Sequence, residues 1–165
     1  FEFKKENQRY FGHVPAETIR EHIGDEKFDR MFKLTVVRNP FDQILSWYFW
    51  LQATGGKQFR MNFKPFVSLK AEELFESNKR VFVIDEKSVA NDVLYYEHLV
   101  EDFIRVSKKL NLPEGTIQLY DKLSTNNWTR KIRGYELIDP ESRDLIIEKG
   151  SYFFTEFGYS QDLPT

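Results

Sequence analysis

The chain has no cysteine and is poor in several other residues that mark particular protein classes. Without thiols, disulfide bridges, thiolate nucleophiles and cysteine-ligated zinc are excluded. The 165 residues include only three histidines, which is few for a metal site that has no cysteine. No apolar run approaches the roughly 20 residues that a membrane-spanning helix needs. We therefore expect no membrane span, and the lack of cysteine favours a reducing, cytoplasmic location.

The chain also lacks a strong excess of charge of either sign. Its 24 Lys and Arg residues against 26 Asp and Glu residues give a formal net charge of −2. Because nucleic-acid binders usually carry a basic field, we expect no nucleic-acid partner. The hydrophobic fraction of 41% and the charged fraction of 30% are typical of a soluble globular protein. The length suits one domain, which we expect to span residues 1–165.

The most informative stretch is KLTVVRNPFDQILSWYFWL, which runs from Lys33 to Leu51. A short apolar and β-branched run at its start predicts a buried strand. The run consists of Phe32, Leu34, Thr35, Val36 and Val37. Asn39 and Pro40 are typical of a helix start, because Asn caps free amides and Pro suits the first helical position. Apolar residues then recur at helical spacing, which predicts a helix to about Ala53.

The rest of the chain alternates between helical and strand-like patterns, which favours an α/β fold with a mostly parallel central sheet flanked by helices. Further helices are predicted over residues 15–23, 68–77, 99–110 and 140–157, and further strands over residues 81–84 and 93–96. In the helix over residues 68–77 we expect Leu69, Leu74 and Phe75 to face inward. A charged turn, Asp85-Glu86-Lys87, separates the two predicted strands. Residues 55–66 and 124–132 are polar and basic, and we interpret both as loops.

Arg38 follows the predicted strand and precedes the predicted helix. A guanidinium in this place offers a planar fork of donors that suits a phosphate, beside the amides of a helix N-terminus. Ser46 lies two helical turns further on, where its hydroxyl would reach the same anion. The plainer alternatives are that Arg38 pairs with a carboxylate and that Ser46 is a small residue at a helix contact.

The segment VVRNPFDQILSWY resembles the second signature of the sulfotransferases, in which a strand, Arg-x-Pro and a helix with a later Ser follow one another. YYEHLVEDF and IIEKGSYFFTEFGYS are also similar to this family, particularly to its carbohydrate-type branch. The resemblance implies a P-loop NTPase-like fold and the donor 3′-phosphoadenosine 5′-phosphosulfate (PAPS). It also implies that Arg38 and Ser46 hold the 3′-phosphate of that donor. The chain departs from many relatives at Gln43, where they have Arg.

A second departure is the lack of a segment like Pro-Lys-x-Gly-Thr, which holds the 5′-phosphosulfate in this family. We expect the N-terminal strand and this loop to be missing from the chain. Thr54-Gly55-Gly56-Lys57 follows a helix rather than a strand, so we interpret it as a helix-ending turn. A non-catalytic relative that binds a nucleotide or sugar is therefore one alternative. A small-molecule kinase is another, although the chain has no glycine-rich phosphate loop or evident Mg²⁺ ligands.

His13 is the first candidate for the general base, because imidazole has a pKa near neutrality and some carbohydrate-type sulfotransferases have a Gly-His pair in this region. The alternative is that His13 caps a helix or bonds a backbone carbonyl. His22 and His98 are expected to be solvated or packed. Glu97 is a second acid–base candidate, but its position in a strand-to-helix turn favours a capping role or a structural contact with a neighbouring Arg.

The densest basic cluster consists of Thr129, Arg130, Lys131 and Arg133, and its segment resembles a late loop that touches the 3′-phosphate in the family. Within it we single out Thr129, Arg130 and Lys131. These residues are therefore predicted to bind the cofactor, with a solvated charge run as the alternative. No metal is expected, because Lys and Arg can offset the transferred charge. The acceptor is a small molecule or glycan hydroxyl, and aromatic residues are candidates to line its site. These aromatic residues are Trp47, Trp50, Phe59 and Phe63.

Overall fold

The computed structural model describes residues 13–54, 60–113 and 134–164. Helices predominate in this part of the chain, and the fold is mixed α/β, as predicted. The chain divides into two compact units, one of Phe1–Thr35 and Glu76–Val93 and one of Val36–Phe75 and Leu94–Thr165. In chain order the elements are α1 (Ala16–Ile23), α2 (Asp25–Arg30), β1 (Leu34–Val37), α3 (Pro40–Thr54), α4 (Phe63–Lys79), β2 (Val83–Ile84), β3 (Lys87–Ser88), β4 (Asp92–Tyr95), a 3₁₀ turn (Tyr96–His98), α5 (Leu99–Lys109), α6 (Pro140–Lys149) and α7 (Ser151–Phe157).

The strands form two small sheets within the described residues. β1 and β4 pair in a two-stranded parallel sheet, which agrees with the predicted parallel arrangement but is small for a central sheet. β2 and β3 form an antiparallel hairpin in which Val83 lies opposite Ser88 and Ile84 opposite Lys87. The α/β class is therefore confirmed, and a P-loop NTPase-like arrangement stays a prediction.

The first unit contains α1, α2 and the β2–β3 hairpin. Gly24 separates the two helices with a φ of 81°, a left-handed value that glycine adopts without strain. Ala16, Phe28 and Ile84 form its buried apolar cluster, so helices and hairpin share one small core. Asp85 and Glu86 of the predicted charged turn form the hairpin turn, whereas Lys87 begins β3 and lies opposite Ile84.

The second unit is built around α3. Phe41 and Ile44 on this helix are completely buried, and the Phe41 ring packs edge-on against Phe154 with 5.3 Å between centroids. Tyr48 lies 5.2 Å from the rings of both Phe63 and Phe66 on α4. The high aromatic content of the sequence therefore contributes largely to a packed core.

Several predictions about burial and boundaries were wrong. β1 is buried on one face only, because Thr35 and Val37 are buried while Leu34 and Val36 are 40% and 50% exposed. Leu69 was expected in the core and is exposed.

The predicted loop at residues 55–66 gives way to helix earlier than expected, because α4 begins at Phe63. Pro65 falls in its first turn, where proline removes no helical hydrogen bond. The predicted helix over residues 140–157 is divided at Gly150 into α6 and α7.

Candidate functional site

Arg38 lies at the junction that the sequence predicted, directly after β1 and two residues before α3. The Phe41 backbone N–H donates to Asn39 Oδ1 at 2.9 Å, so the Asn39 side chain caps the first turn of α3. The Gln43 N–H donates to the Asn39 carbonyl at 2.9 Å, which is the first bond of the regular helix. Local sequence chemistry therefore fixes where the Arg38 side chain leaves the backbone.

The Arg38 guanidinium is mostly buried, with 20% of its side chain exposed. Its Cζ lies 4.5 Å from the centroid of the Tyr96 ring, a cation–π distance. Its Nε lies 3.8 Å from Asp42 Oδ2, which is an ion pair too long for a hydrogen bond. Buried Nε has no hydrogen-bond partner among the described residues. Arg38 thus has the carboxylate neighbour of the plainer alternative, yet Asp42 does not satisfy its donors.

Asp42 is a buried carboxylate in the first turn of α3, with only 3% of its side chain exposed. The Tyr135 hydroxyl donates a hydrogen bond to Asp42 Oδ1. Burial raises the pKa of the Tyr135 phenol above its ordinary value, and the hydrogen bond to Asp42 raises it further. Tyr135 consequently remains a protonated donor, and it stabilises a charge that would be costly to bury alone.

Glu97 forms a second polar group in the same unit. Its Oε1 accepts a hydrogen bond of 2.8 Å from the Asn39 backbone N–H, and its Oε2 accepts one of 3.1 Å from the Tyr159 hydroxyl. Burial raises the pKa of Tyr159, and the negative charge of Glu97 adds to the shift. Because both oxygens of Glu97 are engaged as acceptors, the geometry favours the capping role over the acid–base role.

Ser46 lies on α3, where it is exposed. Its hydroxyl makes no hydrogen bond to another described residue. The side chain is thus accessible, and its predicted part in holding a phosphate stays a prediction.

His13 lies in the first unit, two residues before the Pro15 that precedes α1. Its side chain is exposed, and its φ is 65°, which is unusual for a residue with a Cβ. Arg38 belongs to the second unit, so the role of His13 as a base for the Arg38 site stays a prediction. His22 fits its expected packed role, because its Nδ1 lies 2.7 Å from the Thr18 carbonyl oxygen.

The predicted basic cluster of Thr129, Arg130 and Lys131 lies outside the described residues. Among the aromatic residues proposed for an acceptor site, Phe63 is 4% exposed and belongs to the core instead. Trp50 is 59% exposed and keeps its place as a candidate.

Sequence reasoning missed Tyr96, Tyr135 and Tyr159 as members of the site. Tyr135 and Asp42 are 93 positions apart, and Tyr159 and Glu97 are 62 apart, so no local pattern connects them. Only the contact of Asp42 with Arg38 could have been predicted from local sequence. Asp42 lies in the first turn of α3, four residues after Arg38, and side chains at this spacing are neighbours around a helix.

No helix in residues 13–54, 60–113 or 134–164 combines the length and the apolar character needed to cross a membrane. In that same part of the chain, no three His, Asp or Glu side chains gather closely enough to hold a metal ion. The expectation of a metal-free reaction stays a prediction.

The fold and site together define a mixed α/β protein with a mostly buried arginine at a strand-to-helix junction. This arginine, Arg38, forms an ion pair with Asp42, but its Nε has no hydrogen-bond partner among the described residues. A protein of Archaeoglobus fulgidus described as uncharacterized is 30% identical to the chain over 105 residues, which cover 61% of this chain and 85% of the relative. The chain therefore belongs to the same family as this archaeal protein. No family model matches the chain, and no solved structure matches it.

Proposed function

We propose that the chain is a sulfotransferase that moves a sulfuryl group from PAPS to an acceptor hydroxyl, with a carbohydrate as the acceptor class. A P-loop NTPase-like fold is part of this proposal. The observation that carries it is the state of Arg38, whose buried Nε lacks a hydrogen-bond partner among the described residues. A buried donor without a partner is costly, so the site is suited to an anion that supplies the acceptor.

The surroundings of Arg38 favour a phosphate as that anion. The α3 N-terminus follows directly, and the partial positive charge of a helix start attracts anions. A guanidinium presents paired donors that match two phosphate oxygens. In this proposal Arg38 and Ser46 hold the 3′-phosphate of the donor, and Thr129, Arg130 and Lys131 add contacts to it.

The proposed reaction needs an acceptor oxygen, a base and neutralising charge. The acceptor oxygen attacks the sulfur and forms a new S–O bond, while the bond between sulfur and the 5′-phosphate oxygen breaks. His13 takes the hydroxyl proton, and the 3′,5′-bisphosphate product (PAP) leaves with the electron pair. Cationic side chains offset the charge that grows on the leaving phosphate, so the proposal includes no metal.

Calorimetric titration with PAP tests directly whether Arg38 binds a phosphate. We expect Arg38→Ala to weaken PAP binding by about tenfold to a hundredfold, because a charge-assisted hydrogen-bonded contact is worth roughly 1.5–3 kcal/mol. Arg38→Lys keeps the charge but loses the paired donors, so its PAP affinity should lie between those of the wild type and Arg38→Ala. The matched control is Arg30→Ala, which removes an exposed arginine that pairs with Glu26 at 3.6 Å. Equal PAP affinity in Arg38→Ala and Arg30→Ala would contradict the proposal.

A transfer assay with PAPS and a panel of sugars then separates catalysis from binding. We expect His13→Ala to lose turnover while it retains PAP affinity. The buried Arg38 Nε supports anion binding but does not by itself require a transfer reaction, so it also supports a second candidate function, that of a non-catalytic nucleotide-binding relative. PAP binding by the wild type without any sulfuryl transfer across the panel would select that second function.

A further inference from the structure

Asp42 lies close enough to Arg38 to orient its guanidinium, but the same closeness is unfavourable for anion binding. A carboxylate this close to the guanidinium attracts it, but also competes with any anion that Arg38 is to bind. In a fork-to-fork arrangement both Asp42 oxygens would accept from Arg38 and occupy its paired donors. The observed arrangement is different, since only Oδ2 faces Nε, at 3.8 Å.

The Tyr135 hydroxyl explains why Asp42 stays in this arrangement. It donates a hydrogen bond to Oδ1, and a carboxylate oxygen that accepts this bond is less able to complete a fork with Arg38. Asp42 is 3% exposed, so water cannot readily take the place of this donor. With Oδ1 engaged, the carboxylate is held at ion-pair distance from Arg38 and does not hydrogen-bond it.

Tyr96 restricts the guanidinium from another direction. Its ring lies 4.5 Å from Arg38 Cζ, a cation–π contact that restrains the guanidinium. Arg38 is thus restrained by one ring and one carboxylate, and neither of them satisfies its buried Nε. Such a restrained and unsatisfied cation is preorganised for an anion, because little rotamer freedom is lost on binding.

We infer that Tyr135 and Asp42 are positioning residues for the anion site: Tyr135 holds the Asp42 carboxylate so that Asp42 orients Arg38 without occupying its donors. The inference rests on the proposed phosphate-binding role of Arg38. It assigns no contact between Tyr135 and the nucleotide, since Tyr135 acts through Asp42.

The test compares Tyr135→Phe with Tyr48→Phe. Both variants remove a half-buried tyrosine hydroxyl that donates a hydrogen bond, but Tyr48 donates to the Met61 carbonyl at 3.1 Å. In Tyr135→Phe the Asp42 carboxylate loses the hydrogen bond to Oδ1, and we expect it to move closer to Arg38. PAP affinity should then fall by about tenfold, within the range found for coupled neighbours. Adenosine 5′-phosphate, which has no 3′-phosphate, should bind within about twofold of wild type. Tyr48→Phe should change neither.

A double-mutant cycle shows whether Tyr135 acts through Asp42. In an Asp42→Asn background, Tyr135→Phe should change PAP affinity by less than about twofold, because no carboxylate remains to compete for the Arg38 donors. An equal loss of affinity in both backgrounds would overturn the inference. So would an equal loss for PAP and for adenosine 5′-phosphate, since that result indicates a purely structural role.

The Arg38 Nε–H resonance in the ligand-free protein provides a readout that needs neither PAP nor an Asp42 variant. It can be assigned by its loss in Arg38→Lys. If Asp42 closes onto Arg38 in Tyr135→Phe, this proton gains a charge-assisted hydrogen bond, so its resonance moves downfield and exchanges more slowly. An unchanged resonance overturns the inference. A moved resonance in a protein that does not bind PAP supports the positioning role and contradicts the proposed function.

Discussion

Glu97 accepts a hydrogen bond of 2.8 Å from the backbone N–H of Asn39, 58 positions earlier in the chain. The bond joins the turn that follows β4 to the residue that caps α3. Asn39 uses its side chain for the Phe41 N–H, so its own N–H depends on another residue for an acceptor. Asn39, the residue that follows Arg38, is therefore held in part by a contact from outside the strand–turn–helix segment.

Removal of the Glu97 carboxylate should destabilise this start of α3. In Glu97→Ala the Asn39 N–H and the Tyr159 hydroxyl lose their acceptor, and we expect the free energy of unfolding to fall by about 1–2 kcal/mol. Urea denaturation measures this change. Glu97→Gln retains an acceptor oxygen and should lose less, while Glu156→Ala, an exposed position on α7, should be near neutral. Equal stability of Glu97→Ala and Glu156→Ala would contradict a capping role.

The N-terminus of α6 predicts a pH-dependent contribution to stability. The Ser142 N–H donates to Asp139 Oδ1 at 2.7 Å, and this bond holds the pKa of Asp139 below its ordinary value. A folded pKa below the unfolded one contributes stability that is present at neutral pH. That contribution is lost as the pH falls through the folded pKa. Asp139→Asn, which still caps, should therefore be less stable than wild type at neutral pH but not in strong acid.

The measurement for Asp139 is chemical denaturation from about pH 7 to about pH 2, across the range in which carboxylates titrate. The difference in the free energy of unfolding between wild type and Asp139→Asn, called the stability gap below, should become smaller as the pH is lowered. Asp29→Asn, at an exposed position on α2, serves as the control and should show no comparable gap. If the stability gap between wild type and Asp139→Asn does not change with pH, the charge of Asp139 is not the cause of the difference in stability.

Local sequence chemistry was sufficient to predict the framework of the candidate site. Asn39 and Pro40 mark the start of α3, and the apolar spacing from Phe41 onward gives its buried face. These features depend on residues within one or two helical turns of each other, which is the range over which capping and periodicity act. The position of Arg38 follows from them.

The environment of Arg38 could not be predicted in the same way. Tyr135 lies 93 positions from Asp42, and only the folded chain brings the two together. The burial of β1 failed for a related reason, since an apolar run does not say how many of its faces are covered. Val36 has the same character as Val37, yet it is half exposed while Val37 is buried.

The β2–β3 hairpin predicts a substitution whose effect depends only on backbone strain. Asp85 and Glu86 have φ values of 49° and 60°, the left-handed region that a two-residue hairpin turn requires and that glycine adopts most easily. Glu86 also pairs with Lys79 at 2.5 Å, but its side chain is 83% exposed, so the pair is worth little. We compare Glu86→Gly with Glu86→Ala, because both lose that pair.

The glycine variant should be more stable than the alanine variant by about 1 kcal/mol, the usual cost of a Cβ in this region. Thermal unfolding of the two proteins measures the difference. Alanine and glycine variants of equal stability would indicate that the turn carries no strain at this position.

Gly150 offers a last prediction, because it decides whether the final helical segment is one helix or two. Its φ is −93°, so backbone freedom does not explain the glycine. A Cβ at this position would lie 2.8 Å from the Ile146 carbonyl oxygen and 3.2 Å from the Phe75 ring, and the space is therefore the reason. We expect Gly150→Ala to lower the free energy of unfolding by about 1–3 kcal/mol, the usual cost of overpacking.

Ser151→Ala, at the next and exposed position, should be nearly neutral. In a Phe75→Leu background the cost of Gly150→Ala should fall, since part of the steric conflict is with the ring. If Gly150→Ala is as stable as the wild type, residues 140–157 can form the single helix that their sequence predicts, and the close packing of Phe75 is not what divides it.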